Sequence, residues 1–310
     1  MRPVIGEDRM SRRTGTATIT TTWLTCRFEE AAMIKARIVV GVDGSAGSAA
    51  AVRWAAAEAW LRQAELRVLT AYHRQHPGRR STTGGQIRPE ADEQTTVVLH
   101  AAVTQARSVA PDVEVRGVAL PGYAVPVLLH AAEQATLLVV GDRGKGGLPG
   151  LPFGSVGSQV ATHSRGSVVV VRGRSGADDG PVVVGIDGGA AATIIGRAFE
   201  EAALRGAALL VVTARTSFRP AAGSDASTAE AVLGSDIDSQ LDPWREKYPE
   251  VPAQREVVAG RPDKVLVQRS RQAQLVVAGP RGHGFEGVLL GAVGTRLLQR
   301  ADCPVLIARS

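Results

Sequence analysis

The stretch with the clearest chemistry is GDRGKGGLPGLPFGSV, Gly141 to Val156, which directly follows the apolar run Leu137 to Val140. A loop this rich in glycine lets the backbone approach another group closely and aim consecutive N–H groups at one anion. Ser155, just after Gly154, adds a hydroxyl where the following helix would present its positive end. The anion this pattern predicts is phosphate. Arg143 and Lys145 are cations that either pair with it or remain solvated. The Gly-Lys-Ser/Thr ending of a P-loop is absent, although Lys145 follows Gly144.

Asp43 is the second candidate. It closes the β-branched run Ile38 to Val42 in the sequence VDGS. A carboxylate at the C-terminal end of a strand can accept from ribose hydroxyls or an adenine amino group, or it can satisfy the amides of its own turn. His163 and His283 read as helix-end or surface residues. No nucleophile stands beside an evident base and no carboxylates cluster as in a two-metal site, so no catalytic residue and no metal ligand is assigned. Cys26 and Cys303 form no disulfide framework, which favours a reducing compartment, and Cys303 reads as a small buried apolar residue.

The elements that must position these groups alternate between strand and helix. Ile38–Val42 and Leu66–Ala71 read as strands around a helix from Ala49 to Leu61, capped by Ser45 or Ser48. A long polar loop, His73 to Pro89, precedes a helix over 91–109 and a strand over 113–120. The Pro121–Gly122 turn opens a helix to about Ala135, with Pro126 tolerable only in its first turn. Strand Leu137–Val140 enters the glycine loop, a helix runs from Ser155 to His163, and Ser167–Val171 closes the unit. Alternation of this kind predicts a parallel, doubly wound sheet. With 44% hydrophobic but only 4% aromatic residues, the core must be built from Ala, Val and Leu, as suits buried parallel strands.

The pattern then repeats. VVVGIDGG echoes IVVGVDGS, LLVVTA echoes LRVLTA, LVVAGPRGHG echoes LVVGDRGKG, and CPVLIAR echoes SVVVVRG. Asp43 to Asp187 is a shift of 144 and Gly141 to Gly279 a shift of 138, so the chain is a tandem duplication. The expected organisation is a disordered N-terminal extension, 1–33, or else a chain whose true start is Met33 and not Met1; a first domain, 34–173; a linker, 174–180; and a second domain, 181–310. The net charge of +6 is dispersed, which argues against a nucleic-acid surface. No stretch reaches the length of a membrane span, and the polar segment after Arg12 and Arg13 argues against export. The expected setting is cytoplasmic.

These motifs resemble the universal stress protein family in its tandem form. The carrying pattern is Gly-x-x-Gly, nine residues, then Gly-Ser/Thr after the fourth strand, met here by Gly141, Gly144, Gly154 and Ser155. The resemblance implies two Rossmann-like domains, each a five-stranded parallel sheet in order 3-2-1-4-5, with ligand at the switch point between strands one and four. It implies ATP as ligand, with Mg2+ carried by the nucleotide. Val42 and Asp43 would then meet the nucleoside, Ala71 would flank adenine, and Val140 and Gly141 would line base and ribose. Gly144, Gly154, Ser155 and Val156 would carry the phosphates, with Arg143 beside them.

The second copy departs from the pattern. Gly279 and Gly282 are in place, but eight residues instead of nine precede Gly291, Ala292 replaces the hydroxyl residue, and Gly189 replaces Ser45. Ile186, Asp187, Ala214, Gly279, Gly282, Gly291 and Val293 are therefore expected to form at most a weak site, its amides misplaced by the shorter loop. The second domain would chiefly pair with the first as a built-in dimer. A homodimer and a protein partner, not identified by the sequence, are further expectations. The function implied is a nucleotide-dependent stress-response module; the alternatives are a slow ATPase or a nucleotide-independent interaction scaffold. The loops 73–89 and 215–229 are expected to order around ligand.

Overall fold

The computed structural model describes residues 36–72, 93–145, 154–176, 178–187, 191–216, 226–280 and 290–309, with backbone only over 226–234. The expected N-terminal extension, the loop 73–89, Cys26, Gly282 and His283 lie outside the described residues.

The first repeat runs β1 (Arg37–Gly41), α1 (Ala46–Leu61), β2 (Glu65–Tyr72), α2 (Glu93–Val109), β3 (Val115–Pro121), α3 (Ala124–Ala132), β4 (Leu137–Gly141), α4 (Ser155–His163) and β5 (Val168–Val171). The second runs β6 (Val182–Ile186), α5 (Ala192–Arg205), β7 (Leu209–Arg215), α6 (Ala226–Lys247), β8 (Ala253–Ala259), α7 (Pro262–Arg269), β9 (Leu275–Ala278), α8 (Ala292–Arg300) and β10 (Val305–Ile307). Helix α4 falls where the sequence placed it. Helix α1 begins three residues earlier than expected because Ser45 is its cap, its Oγ accepting from the Ser48 N–H at 3.1 Å. Pro126 sits in the first turn of α3, where its missing N–H costs no helical bond. Of the loop expected over 215–229, Arg215 instead closes β7 and residues 226–229 open α6.

The strands form one ten-stranded sheet in the order β3-β2-β1-β4-β5-β10-β9-β6-β7-β8. Each half reads 3-2-1-4-5 in its own numbering, and pairing within each half is parallel. The halves meet where β5 and β10 pair antiparallel, with Val169 opposite Leu306. Since Val169 and Leu306 are equivalent positions of the two repeats, a pseudo-twofold axis passes between them, and two sheet edges become one continuous sheet. Side chains alternate to two apolar layers that each span both repeats. Val169, Val171 and Leu306 face the layer under α1, α2, α5 and α6, while Val168, Val170, Val305 and Ile307 face the other. Cys303 lies in that second layer, fully buried, and burial pushes its thiol up to about 12, as its reading as a small apolar residue predicts.

Two sets of polar contacts cross the junction with the same symmetry. Glu58 and Arg62 pair within the α1 segment, Glu201 and Arg205 within α5, and each arginine also reaches the other repeat's glutamate. The Arg62 to Glu201 distance is 2.6 Å, and all four side chains are at most 9% exposed. Arg205 also lies over the Trp54 ring, 5.8 Å from its centroid. The second set is a pair of arginines after the last strand of each repeat. Arg172 donates to the carbonyls of Leu297, Gln299 and Ala301 at the end of α8. Its counterpart Arg309 donates to Ala161 and Thr162 at the end of α4.

Candidate functional site

Strand order reverses between β1 and β4, so the first repeat has a crevice at the C-terminal ends of these strands. An open cleft lies there, lined by residues of β1, β2, β4, α3, α4 and the glycine loop. All ten residues expected at the first site line it. Val42 and Asp43 enter from the end of β1, Ala71 from β2, and Val140 and Gly141 from β4; Arg143 and Gly144 come from the loop, and Gly154, Ser155 and Val156 from the start of α4. Leu69 on β2 and Ala124 and Leu128 on α3 complete an apolar wall that the sequence reading missed. Its signal was the i, i+4 spacing of Ala124 and Leu128 directly after the Gly122 turn, which aims both at the same strand ends.

The positive end of α4 opens on this cleft. Gly154 is its N-cap and offers no side chain, so no side chain caps the helix. The Gly154 N–H donates to the Asp142 carbonyl at 2.8 Å, whereas the next N–H groups, of Ser155, Val156 and Gly157, belong to the first turn and lack intrahelical acceptors. All three residues line the cleft. By contrast, α1 begins at the same strand end with its start already satisfied by Ser45.

Asp43 satisfies the amide of its own turn and also lines the cleft. Its Oδ1 accepts from the Ser45 N–H at 3.0 Å and its Oδ2 from the Lys145 N–H at 2.7 Å. Ser45 Oγ in turn donates to the Arg143 carbonyl at 3.1 Å. The carboxylate thus clips the glycine loop to the end of β1 while still lining the cleft. Partial burial pushes the carboxyl up, but the bonds from Ser45 and the Lys145 N–H outweigh this and hold it below the usual aspartate range. A group depressed in the folded state contributes fully above its unfolded value of about 3.9 and loses that contribution as pH falls through its lower folded value. Exchange protection of the Lys145 amide is therefore expected to stay constant from neutral pH to about pH 4 and to fall only below it. Loss of protection already at about pH 6 would contradict the clip.

Two glycines are required by the clip. A Cβ on Gly144 would stand 2.5 Å from Asp43 Oδ2, and one on Gly47, at the start of α1, would collide with the Arg143 carbonyl. Arg143 and Asp43 are the titratable side chains of the cleft among the described residues. His163 is exposed at the end of α4, its Nδ1 2.9 Å from the Gln159 carbonyl, and is not among the cleft-lining residues. Among the described residues no cluster of side chains suits a metal ion, and no helix is long and apolar enough to cross a membrane.

In the second repeat, Ile186 ends β6 with Asp187 after it, Ala214 lies in β7, Gly279 follows β9, and Gly291 and Val293 sit at the start of α8. Strand register fixes the correspondence, since Ile38 opposes Leu137 as Val182 opposes Leu275. The expected misplacement by the shorter loop is not seen at the loop's closure. Gly291 N–H donates to the Pro280 carbonyl at 2.8 Å, as Gly154 does to Asp142, and α8 is likewise uncapped by any side chain. Among the described residues, the two repeats close the loop with the same backbone bond and differ in side chains. Ala292 stands for Ser155 and, in the sequence, Gly189 for Ser45.

Each half is thus a doubly wound, Rossmann-like α/β domain, and the first carries an open cleft at its switch point. The sequence model of the universal stress protein family matches residues 35–172 and again 180–309. A universal stress protein of Mycobacterium tuberculosis is 35% identical over 289 residues, covering 88% of this chain and 96% of that protein. A crystal structure of a universal stress protein from Archaeoglobus fulgidus shares the fold at a TM-score of 0.63 and 16% identity, over 88% of this chain and 98% of that one. A universal stress protein solved in complex with cAMP matches 44% of this chain and 96% of its own, at 29% identity and a TM-score of 0.35. The chain belongs to the universal stress protein family, and it carries the family's domain twice.

Proposed function

We propose that the first repeat binds ATP in the switch-point cleft and that the chain acts as a nucleotide-dependent stress-response module of the cytoplasm. The observation that carries this reading is the start of α4, whose first-turn amides have no intrahelical acceptors and share one cleft with the Ser155 hydroxyl and an apolar wall from β2, β4 and α3. Amides at a helix start favour anions, and apolar side chains favour a flat base, so the residues present fit an adenine nucleotide. Gly144, Gly154, Ser155 and Val156 would hold phosphates; Asp43 and Gly141 the ribose; Val42, Leu69, Ala71, Leu128 and Val140 the adenine. Mg2+ would arrive with the phosphates. The second repeat, without the hydroxyl and the clip serine, binds weakly or not at all and serves chiefly to pair with the first.

Removing the Ser155 hydroxyl takes away one hydrogen bond to a charged group, of order 1.5–3 kcal/mol. Ser155→Ala is therefore expected to weaken ATP about tenfold or more while leaving adenosine within about twofold. Titrating both ligands into both proteins checks this. Equal weakening of the two ligands would contradict phosphate at α4, and no binding of ATP to the unmodified protein at millimolar concentration would overturn the reading.

A further inference from the structure

We propose that the first repeat's phosphate end is completed by the second repeat: Arg309 is a positioning residue that holds α4 from behind. The inference rests on the nucleotide reading above and names a control of that same site. Helix α4 has nine residues, too few to be stable without tertiary support. Its two ends have different owners. The start faces the cleft, and the last turn is held by the Arg309 guanidinium, which donates to the Ala161 and Thr162 carbonyls at 2.8 and 2.9 Å. These carbonyls have no intrahelical partner, and a cation there complements the negative end of the helix.

Arg309 is itself fixed to the first repeat. Its N–H donates to Ser167 Oγ at 3.1 Å, and the Ser167 hydroxyl lies 3.2 Å from its carbonyl. Ser167 opens the antiparallel β5–β10 junction, so the brace is anchored where the two sheets join. The symmetry-related Arg172 holds α8 in the same way, but the position equivalent to Ser167 is Pro304, which can supply no hydroxyl. The brace on α4 therefore has a hydroxyl anchor that its counterpart on α8 lacks, while Arg172 donates to three carbonyls of α8 and Arg309 to two of α4. In this arrangement the order of the α4 amides, and with it the preference for triphosphate over nucleoside, depends on the other repeat.

The test is titration of ATP and of adenosine into the full chain carrying Arg309→Met or Arg309→Lys, together with amide hydrogen exchange of residues 156–160 without ligand. Arg309→Met is expected to weaken ATP about five- to tenfold, to leave adenosine within about twofold, and to speed exchange across α4. Arg309→Lys, which keeps a cation at the helix end, should recover part of each loss, and it carries the test if the methionine variant does not fold. Unchanged α4 exchange, or equal loss of ATP and adenosine affinity in either variant, overturns the proposal while leaving the nucleotide reading intact. Failure of the unmodified protein to bind ATP overturns both.

Discussion

Glu201→Ala is expected to destabilise the protein by about 3–5 kcal/mol, because it leaves the buried guanidinium groups of Arg62 and Arg205 without half of their countercharge. Glu201 is 1% exposed and bonds to arginines of both repeats at 2.6 Å. Burial pushes its carboxyl up, but Arg205, Arg62 and Arg197 outweigh this and hold it below the usual glutamate range. Its contribution is therefore complete above the unfolded value of about 4.3 and is lost only as pH falls through the lower folded value. Urea unfolding followed by circular dichroism checks both points. A change under about 1 kcal/mol at pH 7, typical of an exposed pair, would show that the ring is solvated and does not lock the repeats together. The loss reflects the broken ring more than its net worth, since an apolar foursome of matching volume can be as stable.

Gly144→Val is expected to weaken ATP at least about a hundredfold, roughly 2.7 kcal/mol, by displacing the glycine loop. The new Cβ would press on Asp43 Oδ2, and a branched side chain has few rotamers with which to escape. Relief requires the Asp43 carboxylate to release the Lys145 N–H, so one substitution disturbs the proposed ribose acceptor and the loop's anchor together. The residue is exposed at the mouth of the cleft, so the unfolding midpoint should change little. Calorimetric titration with ATP, alongside thermal unfolding, separates the two effects. Retained affinity would mean that the loop's position is not set by the Asp43 clip.

The site was legible in the sequence because its chemistry sits in one contiguous loop and at the ends of strongly apolar strands. Gly141, Gly144, Gly154 and Ser155 needed only their spacing, and all ten expected residues line the cleft. What escaped was tertiary. Val168 to Val171 and Val305 to Ile307 read as buried strands in any arrangement, and nothing in their apolar pattern says that they pair with each other, antiparallel. Glu58 and Arg62 look like an ordinary i, i+4 surface pair until the fold buries them. A signal for the ring was present in the repetition of EAWLR, ending at Arg62, as EAALR, ending at Arg205. Asp43 was read either as a ligand contact or as a turn residue because its partner, the Lys145 N–H, lies 102 positions away.

The asymmetry between the repeats is the central claim, and stoichiometry tests it most directly. Mg-ATP titrated calorimetrically into nucleotide-stripped protein is expected to fill one site per chain, in the first repeat, where the Ser155 hydroxyl and the Asp43–Ser45 clip are both present. The site should disappear with Gly144→Val. Two equivalent sites per chain would contradict the account, because Ala292 and Gly189 would then be no obstacle to binding in the second repeat.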